Sequence, residues 1–213
     1  CGGEYKGTKI GKKGWMTVFS FHTMKLMTTL GEGGMITTDD PEVDERVRQY
    51  RSFGGGKGWG TNYKMTRVQA AVGLVQLRRL DAMVALRRKR AQERSKSLEG
   101  APELTLPYEP PGYKHTYYLY NILVSRGWAR EKRDRLMKML ADEFRVGTVV
   151  ANPPTYTYHE FVRKQTEGQR LPLSEEIGSR LFCPSLHPLM TEEQNEYVSA
   201  SIIETVERIR NER

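Results

Sequence analysis

Lys25 is the residue of this 213-residue chain best placed to do chemistry. It lies in the polar, glycine-bearing stretch His22–Glu32, between two segments that read as strands. These are Trp15–Phe21 (Trp-Met-Thr-Val-Phe-Ser-Phe) and Gly33–Thr38 (Gly-Gly-Met-Ile-Thr-Thr). A lysine held on a constrained loop and stripped of water can lose its proton and attack an aldehyde as a neutral amine. Ser20, five residues earlier at a strand end, presents a hydroxyl. Alone, a lysine beside a glycine turn is ordinarily a surface residue, so these residue types do not decide the matter by themselves.

The other candidate chemistry is weaker. His22, His115, His159 and His187 show no metal-ligand spacing, and no metal is expected. The basic run Arg87-Arg88-Lys89-Arg90, with Arg94 and Lys96, offers a nucleic-acid patch, but a solvated helix face is the commoner origin of such a run and no nucleic acid is expected. Tyr117, Tyr118 and Tyr120 are expected to pack a strand. A formal charge of +8 favours anionic partners, including nucleotides and phosphorylated cofactors, without choosing among them. Hydrophobic residues make up 38% and charged residues 28%, and no run approaches the roughly 18 apolar residues of a membrane span. Cys1 and Cys183 form no disulfide framework, so a reducing, cytoplasmic setting is expected.

The elements that must position Lys25 follow from local signals. Asp40, with Pro41 after it and Glu42, Asp44 and Glu45 in the first turn, starts a helix that ends before Gly54-Gly55-Gly56. Thr66 and Gln69 have the spacing of a capping box. The helix they start runs to about Leu98, with Val68, Val72, Val75, Leu80, Met83 and Leu86 as its apolar stripe. Gly73 either bends it or marks a close contact. Four prolines in Glu99–Gly112 mark a linker or domain entry. Then come a strand (Tyr117–Val124), a helix (Arg130 to about Phe144), a strand (Val146–Val150), the irregular stretch Asn152–His159 and a short strand near Phe182–Pro184. The last helix is capped by Thr191 and Gln194. The order is mixed α/β.

Three blocks of sequence carry more than pattern. Phe19-Ser20-Phe21-His22-Thr23-Met24-Lys25, continued by Thr28-Thr29-Leu30-Gly31-Glu32-Gly33-Gly34, resembles the DegT/DnrJ/StrS family of pyridoxal-phosphate (PLP) sugar aminotransferases. So do Gly2-Gly3-Glu4-Tyr5-Lys6-Gly7 and Gly60-Thr61-Asn62-Tyr63-Lys64-Met65-Thr66 with Gln69–Gly73. The resemblance implies that Lys25 forms a Schiff base with PLP and then serves as acid and base for the proton shift. Ser20 is implied to bind the cofactor phosphate, and Asn62 to reach the phosphate of a neighbouring subunit, making the protein a homodimer with a shared site. The implied fold is the α/β aspartate-aminotransferase type. Residues 1–98 would be the end of its large PLP domain, and 99–213 its small C-terminal domain.

The implied reaction moves an amino group, from glutamate, to a keto group on a nucleotide-linked deoxysugar. Cyclitol and aminohydroxybenzoate chemistry are alternatives within the family, and a non-catalytic remnant is another. The family's dehydratases carry histidine in place of the lysine, so Lys25 argues against that branch. Asn152-Pro153-Pro154-Thr155-Tyr156-Thr157-Tyr158-His159 departs from the Tyr-x-Pro-x-His-like arrangement that lies near substrate in many members. The family's acidic partner for the pyridine nitrogen, its stacking residue and its first phosphate loop would all precede Cys1. The chain is therefore expected to be a fragment that cannot assemble a full site alone.

Overall fold

Lys6 and Gly7 both adopt positive φ, 47° and 70°, and this two-residue turn folds the chain back on itself. Strands β1 (Glu4–Tyr5) and β2 (Thr8–Lys9) pair antiparallel across it. The computed structural model describes residues 1–212. Next, β3 (Thr17–Ser20) and β4 (Gly34–Thr37) pair antiparallel from Thr17↔Thr37 to Ser20↔Gly34. Both lie within the segments expected to be strands, and they bracket the lysine loop.

Helix α1 (Pro41–Tyr50) starts as its sequence dictates. The Asp40 carboxylate accepts from the backbone N–H groups of Glu42 and Val43 at 2.9 and 3.2 Å. Helix α2 (Arg67–Leu98) begins at the Thr66–Gln69 cap and runs 32 residues, about 48 Å at 1.5 Å per residue. It is continuous through Gly73, so close contact, not a bend, explains that glycine. A Cβ there would lie 3.0 Å from Thr29 Cγ2.

The buried seam of α2 differs from the expected stripe. Val68, Val75 and Leu86 are exposed, and the residues facing inward are Gly73, Leu80, Val84, Arg87, Ala91, Arg94 and Leu98. From Leu80 onward these recur in alternating steps of four and three, the spacing of a packed helix seam. Two arginines lie on it, so the basic run is only partly a solvated face. Arg94 is fully buried. Its guanidinium donates to Asn195 Oδ1 (3.1 Å), the Ser185 carbonyl (2.9 Å) and Met190 Sδ (3.3 Å). Burial pulls its pKa down to about 10.

After α2 the chain passes through β5 (Leu104–Thr105) and returns with β6 (Tyr113–Lys114). That strand pairs antiparallel with β1 and makes a three-stranded sheet, β2-β1-β6. Packing thus divides the chain into two units. One is Cys1–Leu86 with Glu109–Tyr118; the other is Arg87–Tyr108 with Leu119 onward. The first unit's core gathers Phe21, Met27, Leu80 and Val84, with Phe19, Leu26, Met65 and Met83 packed against them.

In the second unit β7 (Ile122–Val124) is shorter than the strand expected from Tyr117. Tyr117 has φ 48°, and its backbone N–H donates to His115 Nδ1 at 2.9 Å, a local turn that interrupts extension. Tyr117 and Tyr120 are buried, but off the strand. Helix α3 (Glu131–Asp142), β8 (Thr148–Val149), the short helices α4 (Thr155–Tyr158) and α5 (Glu160–Gln165), α6 (Pro172–Arg180), β9 (Leu181–Pro184) and α7 (Glu192–Asn211) follow. The stretch expected to be irregular is helical at α4. The antiparallel sheet has the order β5-β7-β9-β8, and α3 packs on α7 and on β8 and β9. Leu136, Leu140, Ile122, Phe182, Ile202 and Val206 fill this core. Each such side chain contributes about 1.5–3 kcal/mol when fully buried. Ser199, Ser201 and Thr205 are buried too, because each hydroxyl donates to a carbonyl one turn back at 2.7–2.9 Å.

Candidate active site

The lysine loop is fastened at both ends by an extension of the β3–β4 ladder. Phe21 N donates to Gly33 O and Thr23 N to Gly31 O, both at 2.7 Å, and Lys25 N closes a turn on His22 O at 2.8 Å. Phe21 and Met27 are 5% exposed and anchor the loop in the first unit's core. Thr29 is buried, with its hydroxyl donating to Glu32 O at 3.1 Å. Gly33 has no room for a side chain, because a Cβ would fall 2.1 Å from Thr29 Oγ1. Leu30 and Gly31 take positive φ, 62° and 117°, and turn the chain back toward β4.

The helix cap also holds this loop. Gln69 Oε1 accepts from Thr66 N at 3.0 Å, while Gln69 Nε2 donates to Glu32 O at 2.8 Å. One side chain therefore closes the N-terminus of α2 and ties down the end of the lysine loop.

Lys25 is half-buried on this scaffold. Its Nζ donates to the Tyr118 hydroxyl at 3.2 Å and lies 4.7 Å from the centre of the Tyr118 ring. Among the described residues no carboxylate pairs with it. Ser20 is exposed at the end of β3, and its Oγ accepts a 3.3 Å bond from His22 N. His22 Nδ1 accepts from Met24 N at 3.2 Å, and its Nε2 lies 3.5 Å from Glu32 Oε1. Ser20 and Lys25 thus stand at the start of the loop and on its first turn. The structure also adds Tyr118, whose distance of 93 residues in sequence left no local signal linking it to Lys25.

Asn62 stands elsewhere in the first unit. A glycine-rich turn at Phe53–Gly56, with Gly54, Gly55 and Gly56 all at positive φ, is closed by bonds from Thr61 N to Tyr50 O and from Phe53 N to Thr61 O. Gly54 and Gly60 touch so closely that a Cβ on Gly60 would meet Gly54 N at 2.2 Å. Asn62 follows this knot, bridges Ser52 by its backbone and is exposed. Its Oδ1 accepts only a long 3.4 Å bond from Lys64 N. Among the described residues no hydrogen bond joins its side chain to Lys25 or Ser20.

A cleft of about 1160 Å³ lies in the second unit, and Lys25 is not among its lining residues. Its wall includes Asn152, Pro154, Tyr156, His159 and Glu175, so the segment that departs from the family's arrangement lines a cavity. Tyr156 OH donates to Glu175 Oε1 at 2.7 Å, and Arg170 grips both oxygens of the same carboxylate. Those bonds, Arg170's first, hold Glu175 down at a pKa of about 2. Among the described residues no group of three or more His, Cys, Asp or Glu side chains is arranged to hold a metal, and no helix is long and apolar enough to cross a membrane.

Known proteins resemble this chain in sequence and in fold. GDP-perosamine synthase of Escherichia coli O157:H7 is 30% identical over 210 residues, covering 95% of this chain and 55% of that protein. An uncharacterized Methanocaldococcus jannaschii protein, MJ1066, is 32% identical over 212 residues, covering 90% and 54%. The solved structure of Streptomyces venezuelae DesV superimposes with a TM-score of 0.88 at 28% identity, over 97% of this chain and 56% of that one. The chain spans about half the length of the curated relatives it matches. The superposition makes the α/β fold part of an aminotransferase fold. The sequence profile of one family matches residues 1–203, nearly the whole chain, and this protein belongs to that family, the DegT/DnrJ/EryC1/StrS aminotransferases.

Proposed function

We propose that this chain carries the lysine half of a PLP-dependent aminotransferase. Its substrate is a nucleotide-linked sugar with a keto group, and its amino donor is glutamate. The observation that carries the reading is Lys25 itself. It stands on a loop fastened by ladder, core and helix cap, with its amine on a tyrosine and not in an ion pair.

The residues present fit the cofactor. An amine bound to a carboxylate would have to break that pair before attacking an aldehyde, and Lys25 has none to break. Ser20 Oγ accepts only one weak bond and keeps its donor for a phosphate oxygen. Thr28 Oγ1, on the lysine loop, is buried without a hydrogen-bond partner, so the loop has polar capacity to spare. When bound, PLP supplies the aldehyde that takes up the amine and a ring that withdraws electrons. Lys25 Nζ would anchor the cofactor and would carry the proton from the donor's α-carbon. Ser20 orients the phosphate. Asn62, exposed and uncommitted, reaches the phosphate of a second copy's site, which makes the working protein a homodimer.

In this reading residues 1–98 complete the PLP-binding domain and 99–213 form the small domain. The relatives support a nucleotide-linked sugar: GDP-perosamine synthase is named for a nucleotide-linked amino sugar, and another, from Streptomyces venezuelae, for a dTDP-linked one. The test is direct. In a protein extended to the length of its relatives, incubation with PLP, borohydride reduction and peptide mapping should place the label on Lys25. Label confined to other lysines, or none, overturns the assignment.

A further inference from the structure

A lysine amine rides on a flexible four-carbon stem, and a reaction at one carbon needs that amine aimed. One side chain does the aiming in this structure. The hydroxyl of Tyr118 accepts from Lys25 Nζ at 3.2 Å, and the face of its ring lies 4.7 Å from the same nitrogen. We propose that Tyr118 is the positioning residue for Lys25, its hydroxyl and ring together fixing where the reactive amine points. The proposal rests on Lys25 being the cofactor lysine.

The chemistry suits that task better than an ion pair. Lys9 and Lys114 lie in the same unit and are held in ion pairs by Asp81 and Glu4 at 3.1 and 2.8 Å. A phenol hydroxyl accepts from an ammonium and donates to a neutral amine. It can therefore hold Lys25 in both of the protonation states that amine chemistry requires. Tyr118 is itself on a fixed backbone. The preceding residue, Tyr117, is buried in the left-handed region, its N–H bound to His115 Nδ1 and its ring 4.4 Å from the His115 ring. His115 N is bound in turn to Glu109 Oε2 at 2.5 Å. A turn this constrained presents the next side chain, Tyr118, in one direction.

The experiment compares the wild-type chain with Tyr118→Phe, which keeps the ring and deletes only the hydroxyl. Both are reductively methylated with formaldehyde and a borane, without PLP, and rates are read lysine by lysine by mass spectrometry. Separately, both are trapped with PLP and borohydride, each carried in a protein extended to the length of its relatives. Freed from its hydrogen bond, Lys25 of Tyr118→Phe should methylate about three- to tenfold faster, the worth of one such bond. Lys9 and Lys114 should keep their wild-type rates, which shows that the unit is still folded. PLP capture at Lys25 should fall several-fold in the same variant. A free amine that reacts faster with a small aldehyde yet captures the cofactor more slowly is the signature of lost aim. Equal methylation of Lys25 in the two proteins, with Lys25 still captured by PLP in the wild type, overturns the role of Tyr118 and leaves the functional reading standing. No PLP label at Lys25 in the wild type overturns the functional reading, and with it the reaction this aim serves. If all three lysines accelerate together, the tyrosine is holding the fold and the proposal fails.

Discussion

At the scale of single residues, the space around the lysine loop is as informative as the lysine. Gly33 and Gly73 both lie against Thr29, and a Cβ added at each would fall 2.1 Å and 3.0 Å from its side chain. Gly33→Ala must therefore displace a buried, hydrogen-bonded threonine. We expect it to cost about 1–3 kcal/mol, the usual range for overpacking, and to weaken PLP capture at Lys25 because the loop moves with Thr29. Urea unfolding and the borohydride assay read the two effects. Gly73→Ala meets a methyl at a gentler distance and should cost less than Gly33→Ala. A Gly33→Ala protein with unchanged stability and capture would mean the loop is less tightly held than its contacts indicate.

At the scale of elements, the two capping boxes, the β3–β4 pair and the long helix were legible because each is set by residues within a few positions of one another. The seam of α2 was not. A search for large apolar residues found Val68, Val75 and Leu86, which are exposed, and passed over Arg87, Ala91 and Arg94, which are buried. Nothing local to Arg94 says that Asn195 and Ser185, some hundred residues away, will supply its acceptors. Tyr118 was missed for the same reason, since its partner is distant in sequence. The place of Ser20 at the end of β3 and of Lys25 on the loop after it was legible because both lie in one contiguous block. Arg94→Leu should remove a cation but leave the Ser185 carbonyl and Asn195 Oδ1 short of a donor. At about 1–3 kcal/mol for each of the two unsatisfied groups, we expect a loss on the order of 2–6 kcal/mol, read as a lower urea midpoint at unchanged slope. A neutral result would show that water replaces the guanidinium.

At the scale of the whole molecule, acid should loosen the second unit first at its ion pairs. Glu175, held at about 2 by Arg170 and Tyr156, has a folded pKa below its usual 4.5. Its contribution to stability is thus complete above 4.5 and is lost as the pH falls from there through about 2. Glu103 beside Arg210 and Glu176 beside Arg126 and Arg180 are lowered in the same direction. Glu175→Gln should flatten the fall in urea midpoint over that window, and an unchanged acid profile would assign the sensitivity to other groups. For the dimer we propose, a Lys25→Ala subunit mixed with an Asn62→Ala subunit should regain PLP capture on the second. Each partner then lends the residue the other lacks, and no recovery would mean that the site is not shared. The return of Glu109–Tyr118 to the first unit has a consequence in time. Residues 1–86 include β1 and Lys25, but neither β6 nor Tyr118. During synthesis the lysine loop can therefore form on its own ladder, while the neighbour of its amine emerges only after all of α2. Closing a contact across 93 residues of chain is slow compared with folding a hairpin. Hydrogen exchange during refolding should accordingly protect the amides of Phe21 and Thr23 well before that of Lys6, which waits for Gly112; the surroundings of the Lys25 amine are the last part of this unit to mature.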